Sequence, residues 1–529
     1  MVVPLTPIRC LDRAADLYGN KVGVVCGDQR FTYSEFAQRC GRLATALTDN
    51  GIRPGDRVAY LSFNTHKLLE GYYGVVQAKA IVMPLNVRLT PPELIAILNH
   101  SEAKALFFEN DFAPLVQQLQ PACPCLRMFV TLDEPALPAE VAYEDLLAAA
   151  RPERADYFDY DENSIAELFY TSGSTGTPKG VMLSHRTLYL HALSVAGTFN
   201  HDDNSVELHT IPLFHANGWG RPQASTMMGN KQVMVRRFEP TAVFRLIEQE
   251  RATAMSLVPT MANALIHAPN AKDFDLSSLK WVHIGGAASS PELIHRLEKV
   301  LGCECLAGYG LTETAPVATS ARRKSTVEYR DDADRYARQA AAGWPLPGVE
   351  VRVVDTEMND VPRDSQSIGE VLIRGDHVMD GYFKEPEATE AAMAGGWLHT
   401  GDMAVWDEET YVLIVDRKKD IIISGGENIS SIEVEKAISA HPAVFECAVV
   451  SAPDEKWGEI PVAIVVSKPG ETVSEAELQS FLDTRLARFK QPRKFEFTDT
   501  PLPKTGTGKI VKRSLREKFW EGKDKRVQG

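Results

Sequence analysis

The chain has 529 residues, of which 44% are hydrophobic and 24% charged, and its formal net charge is −14. Such a length holds several domains of about 100–200 residues, and the composition is that of an ordinary soluble globular protein. The acidic balance argues against non-specific nucleic-acid binding, which needs a basic face, and no run approaches the ~18 apolar residues of a membrane span.

The opening MVVPLTPIRCLDRAADLYG lacks the basic start and apolar run of a secretory signal, and the final KDKRVQG carries no Ser-Lys-Leu address. Eight cysteines, with Cys123/Cys125 and Cys303/Cys305 spaced too closely for zinc, read as reduced, mostly buried thiols of a cytoplasmic protein.

FTYSEFAQRCGRLATALTDNG predicts a helix capped by Ser34 and stopped at Gly51. RPGDRVAYLS follows as turn and strand, LLEGYYGVVQAKA as helix, and IVMPL as strand. RLTPPELIAILNHSEAKALFFE opens with Thr90, Pro91 and Glu93, a capping box with proline at the first helical position, and ends in a strand. Between about 186 and 318 the alternation continues: VMVRRF, AMSLV, SLKWVHIGG and ECLAGYGLTET as strands, PTAVFRLIEQER and SSPELIHRLEKVLG as helices. Helices interleaved with short apolar strands predict doubly wound α/β layers, with ligands at the carboxyl ends of the strands. The charged stretch ARRKSTVEYRDDADRYARQAAAG is expected to be a solvated helical excursion.

From about 343 the texture becomes β-rich: GVEVRVVD, GEVLIRG and YVLIVDRKKDIII are strands between turns. After about 418 a small α+β unit begins. AVFECAVVSAP and VAIVVS should pair, and VSEAELQSFLDTRLARF predicts a helix with a Ser474/Glu477 capping box and an apolar face of Leu478, Phe481, Leu482 and Leu486. The tail LPKTGTGKIVKRSLREKFW is a glycine-rich loop before a basic helix.

YTSGSTGTPKGVMLSH, residues 170–185, concentrates glycine and hydroxyl groups. A nucleotide-binding Walker loop needs G-x-x-x-x-G-K-[ST]. Here Lys179 follows Pro178, and Lys509 is followed by Ile510, so neither lysine fits. The physics still points at phosphate. Gly173 and Gly176 let successive backbone N–H groups turn toward an anion, Ser172, Ser174, Thr175 and Thr177 add hydroxyl donors, and Lys179 adds charge.

This stretch resembles the AMP-binding signature of the adenylate-forming superfamily, which includes acyl- and aryl-CoA synthetases. Five further family blocks follow in order: GYGLTET (308–314), GEVLIRG (369–375), GWLHTGD (396–402), DRKKDIIISGGENIS (416–430) and PKTGTGKI (503–510). The resemblance spans essentially the whole chain. It implies an N-terminal AMP-binding domain over 1–417 and a small mobile C-terminal domain over 418–529.

The resemblance also implies roles. Thr171, Ser172, Gly173, Ser174, Thr175, Gly176 and Lys179 take the phosphates; Gly308, Tyr309 and Gly310 line the nucleotide site, with Tyr309 stacking on adenine. Thr312 meets the α-phosphate and Glu313 holds Mg2+, as suits a hard carboxylate oxygen. Gly286, Ala287 and Ala288 belong to a turn touching adenine and the acyl group; Ser289 stands where proline is common. Asp402 and Arg417 contact the ribose, and Asp416 stands where glycine is usual. Lys509 bridges the substrate carboxylate and AMP, supplying charge where it develops. Lys419 is the hinge, and Gly425 and Gly426 lie by the pantetheine path of coenzyme A.

In IPLFHANGWGRPQAS, His215 is implied near the carboxylate and Trp219 at the acyl pocket; Val258, Met261, Gly286, Ala307, Gly308 and Val317 extend the lining. Ala307 replaces a frequent glutamine, which deepens the pocket. The expected reaction joins a small-molecule carboxylic acid, ATP and coenzyme A by way of an acyl-AMP. The acid is apolar, medium- or long-chain fatty, with an aromatic acid as alternative. Transfer to a carrier protein is a rival, although the insertion such enzymes often carry is absent. A non-catalytic binder would be expected to lose Lys509 or Glu313, and both are present. Members of the family are often homodimers.

Overall fold

The computed structural model describes residues 2–135, 141–171, 178–199, 201–424, 427–454, 456–504 and 510–521. The chain divides into two compact units, Met1–Val351 with Ile373–Leu398, and Arg352–Leu372 with His399–Gly529.

Two large sheets, of eight and nine strands among the described residues, build the first unit. The eight-stranded sheet runs Gly381–Tyr382, Lys179–Ser184, Ile165–Thr171, Ile81–Pro84, Arg57–Leu61, Ala105–Phe108, Met128–Thr131, Val141–Ala142. Its central pairs are parallel, and such pairs need crossover connections, here the helices read from the sequence. The nine-stranded sheet is parallel from Val22–Cys26 through Lys231–Met234, Val206–His209, Ala254–Leu257 and Trp281–Ile284 to Glu304–Gly310. Alternate residues of a strand face opposite sides. Leu208, Val233, Met255, Leu257, Val282 and Ile284 pack into one core with Phe244, Ile247, Ile294 and Leu297 of two helices. The other face is as deeply buried but polar: it carries Glu207, Gln232, Ser256 and His283.

Local details follow the capping chemistry. Thr90 and Glu93 form the expected reciprocal box, and Ser290 caps Pro291–Leu301 by accepting from Leu293 N. The helix expected to start at Ser34 instead has Thr32 as its cap, because Glu35 stands three residues on and returns the bond to the Thr32 N–H. The charged segment after 320 is helical only over Asp332–Gln339. It is held rather than free: Arg335 pairs with Glu298 at 2.5 Å and Gln339 donates to Glu298 at 3.1 Å.

A four-stranded sheet, ordered Val349–Val354, Gly369–Gly375, Leu398–Trp406, Val412–Arg417, lies mostly in the second unit. Beyond it, Val444–Asp454 pairs antiparallel with Gly458–Ser467, as expected, and Lys494–Thr498 joins in parallel. Ser474 and Glu477 make their capping box, but the helix ends at Leu482, so Leu486 reaches the same core from beyond it. No helix among the described residues is long and apolar enough to cross a membrane.

Candidate active site

The hydroxyl-rich segment leaves one strand and returns on its antiparallel neighbour, where Thr171 and Lys179 face each other across the ladder. Ser172, Gly173, Ser174, Thr175, Gly176 and Thr177 lie outside the described residues. Tyr382 pairs with Val181 at the edge of this sheet. The Lys179 ammonium sits 4.9 Å from the centre of the Tyr382 ring, a cation–π distance. On the same ring, the hydroxyl donates to Glu313 Oε1 at 2.8 Å. Burial, reinforced by the Glu313 carboxylate, raises the phenol well above its ordinary value and keeps it a donor. The Glu313 carbonyl accepts from Met379 N at 2.8 Å, which fixes the backbone carrying the carboxylate. Lys179, Tyr382 and Glu313 thus form one cluster, and Thr312 adjoins it in the short turn Thr312–Thr314. Sequence reasoning missed Tyr382: no spacing rule links it to Glu313, 69 positions away.

Strand Glu304–Gly310 of the nine-stranded sheet carries Ala307, Gly308, Tyr309 and Gly310 at its carboxyl end, just before Thr312 and Glu313. Gly308 is there because backbone and ring approach closely: a methyl group on it would fall 2.3 Å from His283 Nε2. Gly286 needs glycine for its φ of +77°, and Ala287 and Ala288 beyond it are exposed. Ser289, in the place where proline is common, is buried with no partner for its Oγ among the described residues.

Trp219 fills the space beside these glycines. A methyl group on Gly285 would lie 3.1 Å from its indole, and one on Gly286 would lie 3.2 Å from Val258 and 3.5 Å from the indole. Val317 belongs to the same apolar cluster, with Val258 and Met261 packed against it. His215 heads the turn that presents Trp219. That turn is left-handed at every residue from Ala216 to Gly220, with φ of 44°, 55°, 50°, 63° and 69°. Left-handed backbone costs roughly 1–2 kcal/mol per non-glycine residue, so neighbours must hold it. Gln223 Nε2 donates both to Asn217 Oδ1 at 3.0 Å and to the fully buried Glu167 at 2.9 Å. Just upstream, Asn64 accepts from Leu213 N at 2.7 Å and Tyr72 donates to the Leu213 carbonyl at 2.6 Å. No sequence rule flags five consecutive positive φ values in ANGWG.

In the second unit, Asp402 and Arg417 are cross-strand partners, and Arg417 Nε meets Asp402 Oδ1 at 2.6 Å. Asp402 is buried; its turn is braced by Thr400 Oγ1, which accepts from Asp402 N at 3.1 Å, and by Glu370, which accepts from Gly401 N at 3.2 Å. Asp416, in the usual place of glycine, needs no left-handed backbone. Its carboxylate accepts from Ser431 N and Oγ at 2.5 and 2.6 Å and ties the strand end to the helix Ser431–Ser439. Lys419 is exposed, and its carbonyl accepts from Arg516 at 2.9 Å. Gly425, Gly426 and Lys509 lie outside the described residues.

The AMP-binding enzyme family model matches residues 11–383, and that of the AMP-binding enzyme C-terminal domain matches residues 433–509. A long-chain-fatty-acid–CoA ligase of Thermus thermophilus is 40% identical over 518 residues, 96% of this chain and 94% of its own. A 3-methylmercaptopropionyl-CoA ligase of Ruegeria pomeroyi is 35% identical over 531 residues, 98% of each chain. Among solved structures, an anthranilate CoA ligase in complex with anthranoyl-AMP superposes with a TM-score of 0.87 at 26% identity, covering 98% of each chain.

Proposed function

The chain belongs to the AMP-binding enzyme family, and from that premise we propose that it activates an apolar carboxylic acid of medium or long chain and passes the acyl group to coenzyme A. A carboxylate oxygen attacks the α-phosphorus of ATP and pyrophosphate leaves; the coenzyme A thiol then attacks the acyl carbon and AMP leaves. The observation that carries the reading is the cluster of Lys179, Tyr382 and Glu313. It offers a cation for phosphate oxygens and, one ring away, a carboxylate aimed by a hydroxyl.

Glu313 is partly exposed and, among the described residues, its Oε1 is braced by the Tyr382 hydroxyl. That fits Mg2+, which takes most of its ligands from phosphate oxygens and water. When bound, the ion neutralises charge on the phosphates. Tyr382 positions the Glu313 carboxylate, and a hydrogen bond to a charged group contributes about 1.5–3 kcal/mol. Tyr382→Phe should therefore raise the Mg2+ concentration for half-maximal rate about 10-fold while leaving the acid's KM unchanged; an unaltered Mg2+ titration would remove this role.

Tyr309 stacks on adenine, Thr312 meets the α-phosphate, and Gly286 to Ala288 with Gly308 and Gly310 give the ligand room at the backbone. Asp402 and Arg417 take the ribose. Lys509 serves adenylation, and the glycines Gly425 and Gly426 serve the thiol step, with residues 418–529 turning about Lys419 between the two. Trp219, Val258, Met261 and Val317 support the choice of an apolar acid, with His215 at its carboxylate end.

The test is a product assay by mass spectrometry, with ATP, Mg2+ and acids from acetate to palmitate plus benzoates, with and without coenzyme A. Acyl-CoA from medium or long fatty acids is the expected product. Acyl-AMP accumulating whether or not coenzyme A is present would point to a carrier protein as acceptor and sink the thioester step.

A further inference from the structure

Trp219 packs in an apolar cluster with Val195, Phe199 and Met227, yet polar groups stand among its neighbours. His283 meets the Trp219 indole edge-on, with ring centres 6.1 Å apart. Its other neighbours are the Phe199 ring, at 4.9 Å, and the backbone of Gly308. Beyond Phe199 lies Arg221, its guanidinium 4.2 Å from the centre of that ring and 4.8 Å from Trp281. Ser256 is the cross-strand neighbour of His283. His283, Arg221 and Ser256 are at most 3% exposed.

Arg221 Nη1 lies 3.2 Å from His201 Nε2, and the buried Glu207 carboxylate acts on its charge, but several other polar atoms of these groups lack partners. Among the described residues both ring nitrogens of His283, Nε and Nη2 of Arg221, and Oγ of Ser256 have none. Buried polar groups are almost always hydrogen-bonded, and each one left unmade costs about 1–3 kcal/mol. Burial, with the Arg221 charge adding to it, holds the His283 imidazole well below its ordinary value, so the ring is neutral. A neutral imidazole offers one donor and one acceptor. Arg221 adds two donors and Ser256 a hydroxyl. A purely hydrocarbon chain end brought up to His283 would leave both of its ring nitrogens unsatisfied.

We propose that His283, with Arg221 behind it, recognises an oxygen function, a hydroxyl or carbonyl, carried near the far end of the acid's chain. The inference rests on the ligase reading above and narrows its substrate class: apolar beside the carboxylate, where Trp219, Val258 and Val317 pack together, and oxygenated at the tip. A site built to bond a substrate hydroxyl discriminates strongly against the analogue without it, because its own groups are then stranded.

The experiment measures acid-dependent AMP formation with hexanoate, octanoate, decanoate, and the terminal-hydroxy and penultimate-oxo derivative of each. Wild-type enzyme should show kcat/KM at least about 10-fold higher for an oxygenated acid than for its parent at one chain length. His283→Leu should reverse that ratio, and His283→Gln, which keeps a donor and an acceptor, should retain part of it. Preference for the parent acid at every length overturns the proposal without relying on any variant. Equal slowing of both members of a pair in His283→Leu also overturns it, since that is the mark of a structural residue. Turnover of the parent acids with no discrimination removes this inference and leaves the ligase reading standing; no AMP with any acid removes both.

Discussion

Replacing Lys509 with alanine will slow acyl-AMP formation by about 10³-fold while leaving thioester formation from supplied acyl-AMP nearly intact. The first step brings an anionic carboxylate against an anionic phosphate. Two unit charges about 4 Å apart, at the effective dielectric of a partly solvated site, repel by about 4 kcal/mol. A cation delivered to the developing charge offsets a similar amount, and about 4 kcal/mol is about three powers of ten in rate. The second step attacks a mixed anhydride with a thiol, where that charge conflict is gone. Single-turnover pyrophosphate release measures the first step, and coenzyme A-dependent consumption of synthetic acyl-AMP measures the second. Equal loss of both would refute the division of labour.

Asp402→Ala will weaken ATP and AMP binding by about 10²-fold, the loss of one or two charge-assisted hydrogen bonds at about 1.5–3 kcal/mol each. The carboxylate is buried, ordered by Thr400 and paired with Arg417. Its removal takes a partner from the half-exposed Arg417 guanidinium as well as from the ribose hydroxyls. Calorimetry with ATP and with an ATP analogue lacking both ribose hydroxyls separates the two effects. Wild type should prefer ATP strongly, and the variant should bind both nucleotides alike. A preference that survives in the variant would take the ribose away from Asp402.

The parts of the fold and of the site that could be read from sequence are those whose chemistry is local. Thr90/Glu93 and Ser474/Glu477 cap their helices because donor and acceptor sit three residues apart. The Lys179 loop and the strand ending in Gly310 are recognisable because glycines and hydroxyls cluster along the chain. Ser34 misled because it too is a good cap, and the reciprocal bond from Glu35 decided for Thr32. Tyr382 was invisible since its partners, Glu313 and Lys179, come from distant segments. His283 was invisible for the opposite reason: what marks it is the absence of partners among the described residues, which only packing reveals. The polar face of the nine-stranded sheet was hidden too, because Glu207, Gln232, Ser256 and His283 alternate with core residues in strands that otherwise look merely short and apolar.

The left-handed turn from Ala216 to Gly220 limits how this chain can vary residue 219 by point mutation. Trp219 has a φ of 63°, where β-branched side chains clash with their own backbone. Valine and isoleucine, the usual residues for trimming an apolar cavity, are therefore poorly placed to succeed tryptophan. The accessible routes lead through glycine, asparagine or unbranched side chains. A library randomised at 219 therefore samples a narrower range of side-chain shapes than its codons suggest.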